Sequence, residues 1–489
     1  MRLNIKHLVA ITLLLIVSTG VTAQWDTTWS QTYGGNRDDM ANDVILTPDN
    51  GFLLIGSTSS FGFDNSQMYF LKLDSAGGIM WSKSHGGDGQ ESGSSVIQTS
   101  DGGYLGVGFT NSWGNGGFDI FMVKLDANGN LEYEEVKGGF DWDFAWDVIE
   151  PSPGKFVIAA ETQSFGNGNT DGWLLQFDEA SRTWDWETTI GTPETENLKA
   201  VAKGNNNDFF AVGLGHANDP TDDDIMLVKF NSSGNSVWTK FYGDTLLDYG
   251  NDIIKMTDGH YGITGVREIE GYNPGVAVLK VGDDGVIDFD TNWSANDFQF
   301  GEGFRIMEIP TSRICIAGTV NKYSGNNDMY LSYSYPTLKL HEKGNTHGKN
   351  ANDWGTSGLY LNNQGFLLAG HTNAYDNSFL NILTVKTDTA VQIDDPNGFY
   401  FNEDSINITG IIQQRGVTQN IQYNTVTNVI TIDDVTNCNY ILIDLVGRVI
   451  KKGRFNSSLS LNPLGLAPGL YIIHVFNENN HWSTQVLQN

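Results

Sequence analysis

The sequence predicts an all-β protein: a seven-bladed β-propeller closed by an N-terminal strand and followed by a small C-terminal β-sandwich. Two observations predict the propeller. The phrase Lys-Leu-Asp-x-x-Gly, or a variant of it, returns at a nearly constant interval along the chain. Each interval also contains four segments in which apolar and polar residues alternate. A fixed period of this kind, with several strands per unit, is typical of a propeller in which each repeat forms one blade.

Seven positions mark the repeat. The lysine position of the phrase is filled in turn by Lys72, Lys124, Gln176, Lys229, Lys280, Ser332 and Lys386. From each position to the next, the residue number rises by 52, 52, 53, 51, 52 and 54. Seven copies of one unit predict seven blades.

One unit illustrates the predicted blade. Its strands are expected at Ile79–His85, Ser94–Thr99, Tyr104–Thr110 and Asp119–Leu125. The turn Asp101-Gly102-Gly103 joins the second strand to the third, and glycine supplies the positive φ that tight hairpins require. Apolar alternation indicates strands that are half buried.

The connections alternate between short and long. Asp-Gly-Gly turns and Asp-x-x-Gly turns such as Asp126 to Gly129 are short, whereas the other two connections of each repeat are long. Because successive strands of a blade run in opposite directions, both long connections lie on one side of the disc. We call this side the long-connection face and expect it to carry the binding surface.

The N-terminus is expected to close the ring. Trp29–Tyr33 matches the fourth strand of a blade, whereas the last repeat ends after its third strand, Leu380–Val385. The N-terminal strand would therefore complete blade seven and leave no open edge. Removing Trp25–Gly35 should destabilise the whole ring.

The segment 1–23 has the pattern of an export signal. Arg2 and Lys6 precede the apolar run Leu8–Val17, and Val21-Thr22-Ala23 supplies small residues before a cleavage point. The mature chain would begin near Gln24 and be secreted or displayed on the cell surface. No later segment has the 18 or more apolar residues of a transmembrane helix, so no transmembrane segment is expected.

Charge and cysteine content exclude some classes of protein. Without the signal, 26 basic side chains face 58 acidic ones, a net charge of −32. Such a balance excludes nucleic acid as a partner and favours solubility or uptake of divalent cations. Two cysteines cannot form a disulfide framework, and Cys315, within an apolar run, is expected to be a core residue.

The repeat resembles two kinds of bacterial propeller. Its overall arrangement resembles seven-bladed propeller repeats, and the steps from Asp74 to Trp81 and from Asp126 to Tyr133 resemble the tryptophan-docking motif of quinoprotein propellers. Those families typically have eight blades and a threonine before the glycine of the motif. That threonine is replaced here by Ala76, Asn128 and Ser233. The resemblance implies a structural contact between neighbouring blades.

The C-terminal segment departs from the repeat. We predict a connector over residues 393–419 and a β-rich domain over residues 420–489, with turns in the phrases Ile443–Val449 and Leu466–Tyr471. These phrases resemble the C-terminal sorting domain of type IX (Por) secretion substrates of Bacteroidota. The residues that carry the resemblance are Asp444, Gly447, Arg448, Pro468, Gly469 and Tyr471.

That resemblance implies export through the outer membrane by the type IX machinery, followed by release or attachment to the cell surface. The family's usual Tyr-Pro-Asn-Pro opening is absent from this sequence. An ordinary accessory β-sandwich is the alternative.

The sequence contains no common catalytic or metal motif: no His-Glu-x-x-His, Gly-x-Ser-x-Gly, phosphate loop or Cys-x-x-Cys. Ligand-binding candidates are therefore residues that break the repeat near the long connections. They are Arg37, Trp113, Trp142, Trp146, Tyr249, Tyr272, Arg305, Tyr323 and Trp354. Aromatic faces beside amides and carboxylates suit sugar rings, although bulky residues also cap blade ends. Asp222 and Asp223 are candidate Ca²⁺ ligands, with a solvated acidic loop as the alternative.

Two main functions fit these observations. The first is a non-catalytic module that binds a glycan or a surface protein. The second is a secreted polysaccharide lyase or glycosidase with acids in the propeller channel. Two carboxylates facing each other about 5 to 10 Å apart would favour the enzyme, and a flat aromatic rim would favour the binder. A structural spacer of the cell surface would show neither.

Overall fold

The computed structural model describes residues 29–387, apart from 63–64, 218–221, 271, 294–297, 311–312, 323–324, 335–342, 348–350, 363 and 375–378. Beyond residue 387 it describes seven strands between residues 421 and 488. The chain forms two compact units, residues 1–410 and 411–489.

The first unit is a propeller of seven four-stranded antiparallel sheets. Blade 1 contains β2 (Asp39–Leu46), β3 (Phe52–Thr58), β4 (Gln67–Leu73) and β5 (Ile79–His85). Blade 2 contains β6 (Glu91–Gln98), β7 (Tyr104–Thr110), β8 (Asp119–Leu125) and β9 (Leu131–Lys137). Blade 3 contains β10 (Asp143–Ser152), β11 (Lys155–Thr162), β12 (Asp171–Asp178) and β13 (Thr183–Ile190). Blade 4 contains β14 (Ala200–Lys203), β15 (Phe209–Gly215), β16 (Asp224–Phe230) and β17 (Ser236–Tyr242).

The remaining three blades repeat this order. Blade 5 contains β18 (Asp248–Lys255), β19 (Tyr261–Arg267), β20 (Gly275–Val281) and β21 (Ile287–Trp293). Blade 6 contains β22 (Phe298–Ile309), β23 (Arg313–Lys322), β24 (Asn327–Ser334) and β25 (Lys343–His347). Blade 7 contains β26 (Asp353–Tyr360), β27 (Phe366–Thr372), β28 (Asn381–Lys386) and β1 (Trp29–Tyr33). The seven-bladed prediction is confirmed.

Ring closure by the N-terminal strand is also confirmed. β1 pairs antiparallel with β28, with Trp29 opposite Lys386 and Tyr33 opposite Ile382. The Tyr33 hydroxyl also donates a hydrogen bond of 2.8 Å to the carbonyl of Gly77 in the neighbouring blade. β1 therefore completes blade 7 and joins it to blade 1.

Strand boundaries agree closely with the repeat. In the unit that starts at Ile79, three predicted strands match β5, β7 and β8, whereas the strand predicted at Ser94–Thr99 runs over Glu91–Gln98. The prediction missed the start of β6 because the strand is interrupted by a bulge at Ser94. The middle strands differ from the expectation of half burial: every residue of β8 is buried.

Burial on both faces results from packing between adjacent blades. In β11, Ile158 packs in a cluster with Leu105 and Ile120 of blade 2, whereas its neighbour Val157 packs with Phe209 of blade 4. Side chains alternate across a strand, so one strand contributes to two interfaces. The core of the propeller is therefore a ring of such interfaces.

In blades 1, 2, 4 and 5 the repeated lysine ties the third strand to the turn between the first two. Lys72 lies 2.8 Å from Asp49, and Lys124 lies 2.9 Å from Asp101. Blade 3 has Gln176 at this position. There, Lys155 of β11 instead pairs with a carboxylate at the end of β12, Asp178, at 2.8 Å.

The repeated tryptophan contacts the next blade, as the resemblance to the docking motif implied. Trp81 of blade 1 lies against Gly129 of blade 2, where an added Cβ would sit 2.9 Å from the indole. Gly129 also has φ of +79°, so glycine is needed for both its backbone conformation and its contact. Trp238 packs in the same way on Gly285 of blade 5.

The second unit contains two sheets. Its strands are β29 (Ile421–Asn424), β30 (Val429–Ile432), β31 (Cys438–Asp444), β32 (Val449–Phe455), β33 (Ser458–Ser460), β34 (Gly469–Phe476) and β35 (His481–Gln488). One sheet has the order β29-β30-β33 and the other β32-β31-β34-β35. Asp444 pairs in register with Tyr471, so the two phrases that carry the sorting-domain resemblance lie on paired strands. Packing of the two sheets as a sandwich stays a prediction.

Several other predictions fall outside the described residues. They concern the signal segment 1–23, the connector 393–419, and Gly447, Arg448 and Pro468 of the sorting motif. Within the described residues, no helix is long and apolar enough to cross a membrane. Cys315 is fully buried, as expected for a core residue.

Candidate ligand-binding cavity

The first strand of each blade lines the central channel, and in six blades it carries a β-bulge. The extra residues are Asn42, Ser94, Trp146, Asn251, Phe304 and Thr356. In blade 4 Lys199 takes the corresponding place immediately before β14. The bulged backbone approaches the second strand so closely that a Cβ at Gly56 would overlap the carbonyl oxygen of Met40. A bulge changes the direction of its side chain, here toward the channel.

These seven residues line a cavity of 610 Å³ in the channel. The residue after each of them lines it too: Asp43, Ser95, Asp147, Ala200, Asp252, Arg305 and Ser357. The walls are therefore built from two successive residues of every blade. Blades 1 and 5 both supply an Asn-Asp pair, but the other five pairs all differ, so the cavity does not share the approximate symmetry of the ring.

Three carboxylates of this ring link neighbouring blades. Asp43 accepts a hydrogen bond of 3.1 Å from the backbone N–H of Val96. Asp147 accepts one of 2.9 Å from Val201, and Asp252 one of 2.8 Å from Ile306. Each N–H belongs to the following blade, so these acids stabilise the ring as well as lining the cavity.

Arg305 lies among the three acids. Its guanidinium is 3.5 Å from the Asp43 carboxylate. The Asp43 charge raises the pKa of Arg305 most, with smaller contributions from Asp252 and Asp147. Burial raises the pKa of Asp252, and it raises that of Asp147 to about 6. The charge of Arg305 is therefore balanced within the channel, and the three carboxylates leave an excess of negative charge around it.

An aromatic cluster connects the long-connection face with the cavity. It consists of Phe109, Phe118, Trp142, Phe144 and Trp146. Ring centroids are 5.9 Å apart for Trp142 and Phe118, 5.3 Å for Phe118 and Phe109, and 6.0 Å for Phe144 and Trp146. Trp142 is 51% exposed, whereas Phe109 and Trp146 line the cavity. The cluster thus extends from solvent into the channel.

Polar groups from blades 4, 5 and 6 line the same cavity. Glu302 accepts hydrogen bonds from the Tyr249 hydroxyl at 3.0 Å and the Asn251 amide at 2.9 Å. Lys199 lies over the Trp146 ring at 3.3 Å and donates to Glu161 at 3.2 Å. Burial lowers the pKa of Lys199, and the charge of Glu161 opposes that effect. One face of Trp146 is therefore already covered by a cation.

The structure divides the nine candidates from the sequence into groups. Trp146, Tyr249 and Arg305 line the cavity, and Trp142 reaches it through the aromatic cluster. The candidates on exposed connections away from the cavity lining are Arg37, Trp113 and Tyr272. Trp354 stacks on His371 at 5.0 Å, and Tyr323 lies outside the described residues.

Sequence reasoning missed the acids of the channel. Asp43, Asp147 and Asp252 recur at every second repeat, in blades 1, 3 and 5. That signal is visible in the sequence, but every ligand-binding candidate was an aromatic residue or an arginine. Lys199, Asn251 and Glu302 were missed for the same reason, although the candidates Tyr249 and Arg305 lie on the same inner strands as Asn251 and Glu302.

The calcium prediction at Asp222 and Asp223 stays a prediction. The structure places the Asp222 carbonyl 2.9 Å from a ring nitrogen of His216, and the Asp223 carboxylate 3.7 Å from it. Among the described residues, three potential ligands come within reach of one ion only at Asp101, Glu132 and Glu179. The first two of these already pair with the ammonium group of Lys124, at 2.9 and 2.8 Å.

No family model matches the sequence, and no curated protein matches it. Among solved structures, the Dos1 propeller is 9% identical, with a TM-score of 0.44 over 74% of this chain and 95% of that one. A PL25 ulvan lyase is 11% identical, with a TM-score of 0.45 over 70% and 93%. A copper-containing fungal alcohol oxidase of the AA5 family is 12% identical, with a TM-score of 0.40 over 94% and 100%. These likenesses concern the fold alone.

Proposed function

We propose that this protein is a non-catalytic binding protein that takes a glycan at the mouth of its central channel. The observation that carries the proposal is the convergence of the aromatic cluster with hydrogen-bonding side chains in one cavity. Sugar rings present an apolar C–H face that stacks on aromatic rings, and hydroxyls that pair with amides and carboxylates.

The two kinds of group have separate positions. Trp142 offers an accessible ring on the long-connection face, and Phe109 and Phe304 offer apolar surface inside the cavity. Asn42, Asn251 and Glu302 add amide and carboxylate groups to the cavity wall. A sugar chain lying against Trp142 could direct a terminal unit toward these groups.

The ends of the chain support a second part of the proposal, which is export. The segment 1–23 has the pattern of a signal peptide, and the C-terminal phrases resemble a type IX sorting domain. We propose that the protein is exported by a type IX-like route and released or held at the cell surface. Intact mass spectrometry of secreted material should show a chain that begins near Gln24 and has lost the C-terminal domain. A cytoplasmic protein of full mass would contradict this route.

A glycan array tests the binding proposal. The full-length protein should retain at least one class of glycan, and Trp142→Ala should weaken that binding at least ~10-fold, because a stacked ring contributes on the order of 1.5 kcal/mol. Ile79→Ala is the matched control, since Ile79 is also exposed but lies on the outer strand β5. Repeating the array with calcium and with chelator tests the Ca²⁺ prediction. Failure of every glycan to bind would contradict the proposal.

One observation favours a glycosidase as the second candidate. Asp43 and Asp147 both lie within 3.4 Å of the Ser95 hydroxyl, and the pKa of Asp147 is raised by burial to about 6. Two neighbouring carboxyl groups, one of them with a raised pKa, are the arrangement of glycoside hydrolysis. Both acids, however, already accept backbone hydrogen bonds from the following blade. Shorter products after incubation with a bound glycan, lost in Asp147→Asn, would establish the enzyme instead.

A further inference from the structure

The charges around the cavity restrict which glycans it can hold. Its lining includes four carboxylates, those of Asp43, Asp147, Asp252 and Glu302. Two cations, Lys199 and Arg305, oppose them. Acidic groups in a narrow channel with low-dielectric walls concentrate negative potential at its mouth, where a ligand enters.

Both cations are already paired. Arg305 lies 3.5 Å from Asp43 and interacts electrostatically with Asp147 and Asp252. Lys199 donates to Glu161 at 3.2 Å and covers the Trp146 ring. A uronate or sulfate group would have to displace one of these acids and bring its own charge close to the others. Sites for such anions instead use charged donors aimed at the ligand, most often the fork of an arginine.

The acids are also occupied, which argues against a cationic ligand. Asp252 accepts backbone N–H bonds of 2.9 Å from Ile253 and 2.8 Å from Ile306. Glu302 accepts from Tyr249 and Asn251. An ammonium group would compete with these donors, and the aromatic face best placed to hold it is already taken by Lys199.

We propose that the ligand is a neutral glycan and that this cavity discriminates against glycans bearing carboxylate or sulfate groups. The inference rests on the binding function proposed above. The aromatic cluster supplies affinity for the sugar ring, and the paired charges of the channel supply selectivity. Like charges brought together at a binding site act chiefly against the wrong ligand, which is the role assigned here to the channel acids.

The test compares hexasaccharides of the same backbone. Cellohexaose, laminarihexaose, mannohexaose and β-1,4-galactohexaose are each measured by calorimetry against the full-length protein, beside their derivatives oxidised to carboxylate at C6. A chitosan hexamer provides the cationic case. At least one neutral sugar should bind, its oxidised derivative should bind at least ~10-fold more weakly, and the chitosan hexamer should bind no more tightly than cellohexaose. Added salt should narrow the difference between neutral and oxidised forms.

A pair of variants assigns the selectivity to the cavity. Glu302→Gln keeps an acceptor for Tyr249 and Asn251 but removes one charge, so it should reduce the discrimination about 3-fold. Glu308→Gln is the matched control on the same strand. Glu308 accepts hydrogen bonds from Thr257 and does not line the cavity, so its variant should discriminate as the unmodified protein does.

The outcomes separate the two proposals. If an oxidised hexasaccharide binds as tightly as its neutral parent, or chitosan binds ~10-fold more tightly than cellohexaose, the charge selectivity is wrong while the binding function stands. If no hexasaccharide binds in any form, the binding function and the inference that rests on it are both wrong. An equal reduction of discrimination in both glutamine variants would overturn the assignment to the cavity.

Discussion

The two faces of the propeller differ in how faithfully they repeat. On the side of the short turns, successive blades use the same devices: a buried lysine paired with a turn aspartate, as in Lys72–Asp49 and Lys280–Asp258. At the channel, the residue that follows each of the six bulges is an aspartate, a serine or an arginine, and Ala200 takes that place in blade 4. Repetition therefore marks the residues that build the ring, and departure from it marks those available for a ligand.

Deleting β1 should give the largest loss of stability among the variants of the repeated framework. Residues 29–33 complete blade 7, and their loss would expose β28 and remove the buried side chains of Trp29 and Tyr33. Deleting residues 1–35 should lower the midpoint of thermal unfolding by more than about 10 °C or prevent folding, because it costs several kcal/mol of packing and pairing. Deleting residues 1–27, which spares β1, is the control. Equal midpoints for the two truncations would show that closure contributes little.

The repeated lysine should give the next largest effect. Lys124 is fully buried and pairs with Asp101 and Glu132. Lys124→Gln copies Gln176 of blade 3, but blade 2 has Gly103 where blade 3 has the compensating Lys155. We expect a loss of about 2 kcal/mol in the free energy of unfolding, measured with denaturant at pH 7, because both carboxylates lose their cation but stay partly solvated.

Acid should reduce this effect. Burial alone would raise the pKa of Asp101, but hydrogen bonds from Thr99, Lys124 and Gly103 outweigh it and lower the pKa to about 2. Because the pKa of Asp101 is lower in the folded protein than in the unfolded chain, where it is about 4, the ionised carboxylate stabilises the fold at pH values above 4. That stability is lost as the pH falls toward 2. The difference between the original protein and Lys124→Gln should therefore shrink between pH 4 and pH 2. A difference that is independent of pH would contradict an electrostatic origin.

A third comparison lies within the repeat itself. Where the third strand of blade 1 begins, Gln67 donates a hydrogen bond of 3.0 Å to Glu91. Blade 2 has Asp119 at that place, facing Asp143, and one buried oxygen of Asp119 has no hydrogen-bond partner among the described residues. Burial raises the pKa of Asp119, and the neighbouring Asp143 charge raises it further. Two carboxylates therefore occupy a position that an amide and a carboxylate fill in blade 1.

Asp119→Asn should therefore stabilise the protein by about 1 kcal/mol at pH 8. A raised pKa means that the folded protein binds the Asp119 proton more tightly than the unfolded chain does. The stability that this proton contributes is therefore complete below pH 4, about the pKa of Asp119 in the unfolded chain. It is lost as the pH rises through the pKa of Asp119 in the folded protein. The gain should consequently disappear near pH 4. Gln67→Glu is the reciprocal variant and should destabilise at pH 8. Destabilisation by both variants would show that the carboxylates of Asp119 and Asp143 do not repel each other in the folded protein.

The repeated parts of the fold could be predicted from the sequence, whereas the cavity could not. Blade number, closure by Trp29–Tyr33 and most strand boundaries follow from local periodicity, and periodicity can be read along the chain. The cavity could not be read in this way. Asn42, Trp146 and Asn251 lie about two repeats apart in sequence and meet only after the ring closes, and their direction depends on bulges that leave no mark on composition.

The aromatic cluster shows the same limit on a smaller scale. Trp142 and Trp146 were recognised as departures from the repeat, but Phe109 and Phe118 come from the preceding blade, and none of the four could be known to touch another. Charge pairing was equally hidden, because Arg305 belongs to blade 6 and its partner Asp43 to blade 1. The sequence could name candidates but could not select among them.

The smallest expected effect is on glycan affinity, and it would distinguish the exposed aromatic residues that contact the ligand from those that do not. Trp113 and Tyr272 are exposed aromatics on the long-connection face, as Trp142 is, but neither belongs to the aromatic cluster or lines the cavity. Trp113→Ala and Tyr272→Ala should each change glycan affinity less than ~2-fold, whereas Trp142→Ala should cost at least ~10-fold, since only rings beside the bound sugar contribute stacking energy. Calorimetry with the same glycan measures all three. Equal losses would mean that the whole rim, rather than the path from Trp142 into the channel, holds the ligand.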